Sequence, residues 1–495
     1  MREFLRAFNS GVFEKDLSGE QKELARNLLN IGAISAHKGK LYLNDGYVFG
    51  RLDIARDGTG YLQSFDDRFK ADLIIENRYL SGVHLGDLIL AKILSSRKSR
   101  LHAKVLMCVK PAFLTSVVYT KSFGREILGV NVKTGLANPL KATQKSLKQL
   151  PANTLLKIDN LTNEITEVIG NLADPFVDEK ISLAIYDKND EFNEACKQQA
   201  ASFGSEVDGS LYPQRVDLQH LAFCTIDPID AKDFDDAIYF DVKERTLYVA
   251  IADVSEYVSE YSPIDKEAKF RGFSIYFPHR SVPMLPRELS ENICSLMPDL
   301  PRLAFVFKIA LDENLNPQKE ELFEAIIRSK RRYNYDEVDE ILRTRKACEP
   351  EILSWLLPLN EICERLRRAR LKRGFDFRTK ELRITLDERG FINSTRFETD
   401  TPSHKLIEDC MLLANKAAAA RIERGVFRNH GSAELKKIYA LLDDLALFGI
   451  DAPYQNNLAK MIGEIQAQAD AMGIREEVDK LIIKAQKRAE YASES

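Results

Sequence analysis

The 495-residue sequence predicts a multidomain α+β protein, in which a small helical, winged-helix-like module and two small β-barrels precede a mixed α/β domain. Three observations carry that expectation. The chain is too long for one ordinary hydrophobic core, so roughly three or four domains are expected. Hydrophobic periodicity changes at Gly46, from helical spacing to short alternating strands with glycine turns, and mixes again after Asp174-Pro175. Charge is split along the chain. Residues 1–150 hold 24 Lys/Arg against 14 Asp/Glu, a local charge of +10, so the rest carries 47 against 61, or −14.

Taken in order, residues 1–43 read as the helical module. Ser18 is placed to cap a helix over Gln21–Leu29, with Leu24, Leu28 and Leu29 at helical spacing, and a hairpin follows over Ala33–Leu43. Residues 44–100 read as the first barrel, with strands at Tyr47–Ile54, Tyr61–Phe65, Ala71–Ile75 and Asp87–Ile93, and a turn at Asp57–Gly60. Residues 101–175 read as the second, with strands at Ala103–Val109, Leu114–Thr120 and Glu126–Val132. Phe49, Tyr61 and Phe65 suit either barrel core or base stacking. Residues 176–495 form the mixed domain. Within it 404–424 reads as an apolar, alanine-rich helix. A second helix is expected over 434–448, capped by Ser432, stopped by Gly449, with Leu435, Ile438, Leu442 and Leu445 on one face.

Composition narrows the function classes. The hydrophobic fraction of 44% and charged fraction of 29% are those of a globular protein, without the long apolar run of a membrane span or a secretory signal. Seven scattered cysteines, never in a C-x-x-C pair, indicate neither a disulfide framework nor a thiolate zinc site and suit a reducing cytoplasm. Residues 91–150 carry 12 basic residues against one acidic, Glu126, which points to a polyanion partner for the N-terminal part. Three further basic clusters, Arg97–Arg100, Lys330–Arg332 and Arg365–Arg373, suit an RNA path, the last equally a solvated helix face.

The sharpest local signal lies between Thr225 and Phe240. Five carboxylates, Asp227, Asp230, Asp233, Asp235 and Asp236, fall within ten residues and are flanked by apolar stretches. Crowding like charges is costly unless cations neutralise them. Hard divalent ions such as magnesium take oxygen ligands of this kind and keep open positions for phosphates. A calcium loop is excluded: counting from Asp227 or Asp233, the sixth position is not glycine, and the twelfth from Asp227 is Ile238. The bland alternative is a solvated acidic turn.

The same stretch, Thr-Ile-Asp-x5-Asp-Phe-Asp-Asp-Ala, followed by Val249-Ala-Ile-Ala-Asp-Val-Ser-Glu-Tyr-Val, resembles the catalytic (RNB) domain of the ribonuclease II/ribonuclease R family. Ordered matches continue at Ser274-Ile-Tyr-Phe-Pro, Val282-Pro-Met-Leu-Pro-Arg-Glu-Leu-Ser, Ile293-Cys-Ser-Leu, Tyr335-Asp-Glu-Val and Leu406-Ile-Glu-Asp-Cys-Met-Leu-Leu-Ala-Asn. The resemblance reaches the N-terminal side, since a helical module and two cold-shock-type (OB-fold) barrels before the catalytic domain is the ribonuclease R arrangement. It implies a 3′-to-5′ exoribonuclease that hydrolyses single-stranded RNA processively to nucleoside 5′-monophosphates, with Mg2+ (or Mn2+) in a two-metal site. By position, Asp227, Asp233, Asp235 and Asp236 match the metal-site aspartates and Asp230 does not. Tyr276 matches an aromatic that stacks near the RNA 3′ end, and Phe377 its clamp partner. Tyr335 and Glu408 match positions that tell RNA from DNA. Glu408 also stands in an otherwise apolar helix, where an unpaired carboxylate is costly.

Against the family pattern, the sequence stops at Ser495, before a His-Phe-Gly-Leu segment, an arginine-bearing Thr-Ser-Pro-Ile-Arg-Arg-Tyr motif and an S1 barrel. The resemblance thus implies a catalytic domain incomplete at its C-terminus. A second reading is an RNA-binding protein with impaired catalysis, because the arginine placed to stabilise transition-state charge has no counterpart. A third is a DNA exonuclease. Single-stranded RNA is the expected partner and no membrane is. Any RNA-decay or ribosome-associated partner is not readable from the sequence.

Overall fold

The computed structural model describes residues 1–55, 58–69, 71–80, 82–94, 101–378 and 380–494. The basic cluster Arg97–Arg100 and Asp57 of the expected first turn lie outside the described residues. The chain divides into two compact units, one of residues 1–190 with 387–391, the other of 191–386 with 392–495. Among the described residues no helix is long and apolar enough to cross a membrane.

The first unit opens with helix α1 (Arg2–Ala7), strand β1 (Val12–Phe13) and helix α2 (Gly19–Asn30), then the hairpin β2 (Ile34–His37) and β3 (Lys40–Leu43), paired in the order β1-β3-β2. Ser18 caps α2 as its position predicts: its side chain accepts from the Gln21 amide while the Gln21 side chain accepts from the Ser18 amide. Two helices against a three-stranded ribbon form the winged-helix-like module. Its core of Leu5, Phe8, Leu17, Ala25 and Leu28 runs into Phe49, Phe65 and Leu90 of the barrel that follows, whose interior is a separate cluster of Val48, Leu52, Leu62 and Ile89.

That barrel is closed by β4 (Tyr47–Ile54), β5 (Gly60–Ser64), β6 (Leu73–Ile75), β7 (Leu88–Leu94) and β8 (His102–Lys110), in the order β4-β5-β6-β8-β7. Here the sequence reading is corrected. The strand at Ala103–Val109, expected in the second barrel, pairs with β7 and β6 and closes the first. Closure needs a fifth strand, and strand spacing alone does not say which neighbour supplies it. Phe49 and Phe65 are buried against the helical module rather than in the barrel interior, and Tyr61 is half-buried. The second barrel region is a five-stranded antiparallel sheet of β9 (Thr115–Phe123), β10 (Glu126–Asn131), β11 (Ala137–Asn138), β12 (Thr154–Asp159) and β13 (Ile165–Asn171), in the order β11-β10-β9-β12-β13. Helix α3 (Gln144–Leu147) joins its halves, and α4 (Val177–Ile185) follows Asp174-Pro175 and packs beside Val117 and Leu155.

The second unit is built on a seven-stranded mixed sheet. After α5 (Glu194–Ser202) its strands are β14 (Val216–Asp217), β15 (Cys224–Asp227), β16 (Asp236–Asp241) and β17 (Thr246–Ala252). Helix α6 (Pro263–Arg271) and a small hairpin, β18 (Ile275–Tyr276) with β19 (Ser281–Val282), intervene before β20 (Pro301–Leu311), β21 (Pro317–Arg328) and β22 (Arg331–Asn334). The order is β14-β21-β20-β17-β16-β15-β22, with the outermost pair at each edge parallel.

Alternation along β17 sends Leu247 and Val249 to one face, Ala250 and Ala252 to the other. The first face is covered by α7 (Tyr335–Thr344), α8 (Pro350–Leu371) and α9 (Pro402–Ala419), through Val338, Trp355, Leu359 and Leu406. The second face takes Phe223, Phe234, Leu296 and Val306. Between α8 and α9 lies the hairpin β23 (Glu381–Leu386) and β24 (Ile392–Glu398). Helices α10 (Leu435–Leu447), α11 (Leu458–Met472) and α12 (Arg475–Ala485) make a separate core.

Two helix boundaries depart from expectation. The 404–424 helix ends at Ala419, because Phe427–Asn429 (β25) is drawn into a ribbon with Glu490–Ala492 (β26), a partner more than sixty residues away that periodicity cannot register. Helix α10 begins at Leu435 with Glu434 as N-cap, so Ser432 does not cap it, and Leu441 rather than Leu435 joins Ile438 and Leu445 inside. Gly449 does end it, at φ +81°.

Candidate active site

The acidic segment joins two neighbouring strands at one end of the sheet. Asp227 is the last residue of β15 and Asp236 the first of β16, and these strands pair antiparallel with Cys224 opposite Ile238. Apolar Cys224, Ile226, Ile238 and Phe240 sink the strands into the core, which leaves the carboxylates at the rim of a buried platform. Asp233 and Asp235 stand on the connecting loop.

That loop is tied down by the Ile293–Leu296 segment. The buried Ser295 hydroxyl accepts from the Phe234 amide and donates to the Lys232 carbonyl, both at 3.0 Å, and the Leu296 amide donates to the Phe234 carbonyl at 2.9 Å. Arg302, almost wholly buried, donates from Nε to the Ser295 carbonyl at 2.9 Å. Arg332 closes the other side, donating to the Pro228 carbonyl with its guanidinium 5.5 Å above the Phe234 ring.

Burial and mutual repulsion set the electrostatics. Desolvation, then the charge of Asp236, raises the Asp227 carboxyl to about 7, against the lowering pull of Arg332. Desolvation and Asp235 raise Asp236 to about 6. Asp235 keeps exposed area, yet enough protein surrounds its carboxyl that desolvation, with the charge of Asp233, raises it too. The Asp227 Oδ2 atom is buried without a hydrogen-bond partner. An all-oxygen set with an orphaned buried carboxylate oxygen fits a hard divalent cation. Among the described residues no group of three or more acidic, histidine or cysteine side chains is placed to hold a metal ion. Magnesium does not require such a group, since it is held by one or two carboxylates, with waters and substrate phosphates completing the shell.

Two of the four expected RNA-contacting residues join this cluster. Tyr276, on β18, donates from its hydroxyl to Asp233 Oδ2 at 3.1 Å and is 69% exposed. Tyr335 opens α7 directly after Asn334, which lies in parallel register with Asp227. Burial, then the charges of Asp227 and Asp236, raises its phenol to about 12. Its ring stacks on His404 at 3.8 Å between centroids and 16° between planes.

The other two are placed differently. Phe377 packs edge-on to Phe375 at 5.3 Å and against the α10–α12 core, and it lines a cavity of about 370 Å³ with Arg378, Lys405 and Arg475. Glu408 is neither buried nor unpaired, in correction of the sequence argument: its side chain is 56% exposed and lies 3.6 Å from Arg370. The buried carboxylate of α9 is its neighbour Asp409, held by Arg367 at 2.5 Å and Arg370 at 3.2 Å. The Arg365–Arg373 stretch is therefore not simply a solvated face.

Sequence reasoning missed Ser295, Arg302, Arg332, His404 and Asp409 as parts of the site. Ser295 stood inside a quoted motif and Arg332 inside a basic cluster, but each acts through a backbone group distant in sequence. The Lys330–Arg332 cluster is engaged within the protein, with exposed Lys330 on the Gln219 carbonyl at 3.3 Å and half-buried Arg331 on Glu337 and Glu349.

Comparison with known proteins agrees along the chain. Residues 215–495 match the RNB domain family, 117–183 the ribonuclease R second OB domain, and 3–104 the N-terminal first OB domain of ribonuclease R. Ribonuclease R of Helicobacter pylori is 33% identical over 99% of this chain and 76% of its own length. The fold superposes with TM-score 0.77 on Mycoplasma genitalium RNase R in complex with ribose-methylated single-stranded RNA, at 26% identity over 90% of this chain and 73% of that one. It also resembles yeast Ssd1, a pseudonuclease, with TM-score 0.64 at 15% identity over 94% of this chain and 65% of that one.

Proposed function

The chain belongs to the RNB-domain family of ribonuclease R, with two OB domains before the catalytic domain, and from that premise we propose that it is a metal-dependent 3′-to-5′ exoribonuclease acting on single-stranded RNA. The reading rests on one observation above others. Asp227, Asp235 and Asp236 crowd together at the sheet rim, each with a raised pKa, and one buried carboxylate oxygen has no partner. Such a group is unstable by itself and is stabilised by divalent cations.

In this reading Asp227, Asp233, Asp235 and Asp236 hold Mg2+ or Mn2+ in a two-ion site. Bound there, the ions supply a water activated at neutral pH and charge stabilisation at the leaving oxygen. The protein's share is to fix the oxygens through the Ser295 and Arg332 anchors and to seat the RNA end. Tyr276, exposed beside Asp233, stacks near the terminal base, with Phe377 as the other side of the clamp. Tyr335 and Glu408 read the 2′-hydroxyl, the group that separates RNA from DNA. Hydrolysis one nucleotide at a time releases nucleoside 5′-monophosphates.

A second reading is RNA binding without turnover, since a shared fold does not by itself carry activity. One experiment separates the two. The purified chain is incubated with Mg2+ and a 5′-labelled single-stranded RNA beside an Asp235→Asn variant. Stepwise 3′ shortening, slowed about a hundredfold or more in the variant, is the expected result. Intact RNA that still shifts in a binding gel establishes the second reading instead.

A further inference from the structure

The N-terminus of α9 is bolted to α7, which supplies the acceptor that one of α9's first-turn amides requires. Fully buried Ser403 donates from its amide to Asp339 Oδ1 at 2.9 Å and from its hydroxyl to the Tyr335 carbonyl at 3.2 Å. Thr401 occupies the N-cap position of α9, where a threonine hydroxyl ordinarily accepts from the helix's first amides. It makes no such bond. Its Oγ1 instead lies 2.7 Å from His404 Nδ1 and 2.9 Å from Ser403 Oγ. Asp339 takes over the acceptor role at the helix start, and the Thr401 hydroxyl is left to fix the orientation of the imidazole ring.

The ring so fixed is the one stacked on Tyr335, near-parallel at 3.8 Å. A tyrosine ring turns about two side-chain torsions, and a flat partner at van der Waals distance on one face removes most of that freedom. His404 also precedes Glu408 by four residues, which places both on one face of α9. One short helical segment therefore carries the surface that orients Tyr335 and, one turn on, the second residue of the proposed sugar reader.

We propose that His404 is a specificity-positioning residue, whose ring holds Tyr335 at the angle needed to distinguish ribose from deoxyribose at the 3′ end of the bound strand. The inference rests on the assignment of Tyr335 and Glu408 as readers of the 2′-hydroxyl, but it does not require turnover.

Binding is therefore the measurement, made in an Asp235→Asn background with Mg2+ present. The probes are two fluorescent single-stranded oligonucleotides, one all-RNA and one with 2′-deoxynucleotides at the last two 3′ positions. The readout is the ratio of their affinities. His404→Ala is expected to lower that ratio by about tenfold, the scale of one lost aromatic contact, while affinity for the deoxy-ended strand stays within about twofold. His404→Phe keeps a flat ring and is expected to hold the ratio within about threefold of the parent. Thr401→Val frees the ring without removing it and should fall between, which also covers the case of an alanine variant that does not fold.

A ratio unchanged in His404→Ala overturns the proposal, as does an equal loss in the alanine and phenylalanine variants, or a parent with no ribose preference. Shortening of RNA by the unaltered chain is scored separately. A chain that shortens RNA but ignores the sugar defeats this inference and the assignment of Tyr335 and Glu408 with it but leaves the nuclease reading standing, and one that prefers ribose ends without shortening them defeats only the nuclease reading.

Discussion

Asp227 and Asp236 are each the terminal residue of a paired strand, and this places two carboxylates where protein replaces water on most sides. Both titrate well above an ordinary aspartate, at about 7 and about 6. A carboxyl whose pKa is raised by folding stabilises the fold while protonated, and loses that contribution as pH rises through the raised value. Without metal the chain should therefore lose stability as pH rises from about 4 to about 7, between the ordinary aspartate value and the raised ones. Asp236→Asn should recover on the order of 2 kcal/mol at pH 8, read by thermal or urea unfolding. Mg2+ should raise the melting temperature more at pH 8 than at pH 5, because the ligands must first lose their protons. A magnesium effect independent of pH would contradict the ligand assignment. Arg332 belongs to the same balance. Arg332→Met removes the cation that restrains the Asp227 pKa and frees the Pro228 carbonyl, so weaker Mg2+ binding and a fall in RNA shortening of about tenfold or more are expected. The aspartates were legible in the sequence because five acids in ten residues have few innocent explanations. Arg332 was not, because a basic triplet looks the same whether it faces RNA or an internal carbonyl.

At the scale of elements, the site depends on a loop pinned to a segment sixty residues away. Ser295→Ala leaves the buried Phe234 amide without an acceptor, a loss of roughly 1–3 kcal/mol. It should also reduce metal-dependent activity more than that loss of stability alone would, since the Asp233 loop is released. Retained full activity with lowered stability would show that the loop does not need the anchor. Below the strands, Trp355 of α8 fills the core between helix and sheet, edge-on to Tyr239 at 5.9 Å. Trp355→Ala should cost roughly 3–5 kcal/mol in denaturant unfolding. Element reading from sequence succeeded where local chemistry decides the outcome, as in the capping box at Ser18, the strand Tyr47–Ile54 and the glycine stop at Gly449. It failed at Ala419 and Ser432, where a distant strand and a helical core set the boundary.

Over the whole molecule charge is split, with residues 1–150 at +10 and the remainder, which bears the aspartates, at −14, the pattern expected of one part that binds a polyanion beside another that binds cations. RNA affinity should then fall steeply with salt, with a log–log slope of about −0.7 for each phosphate contacted. A flat response in a titration from low to moderate salt would remove residues 91–150 from the binding surface. By itself the sequence determined the kind of domains, their order and the family, and it singled out the acidic segment 227–236, because hydrophobic period, turn residues and contiguous motifs are local and survive without knowledge of partners. Only the tertiary structure decided that the strand at 102–110 closes the first barrel, that Asp409 rather than Glu408 is the buried carboxylate, and that His404 lies against Tyr335. Each of those turns on which surfaces meet across tens of residues, and contact between distant segments is set by packing of the whole core, which no window of sequence contains.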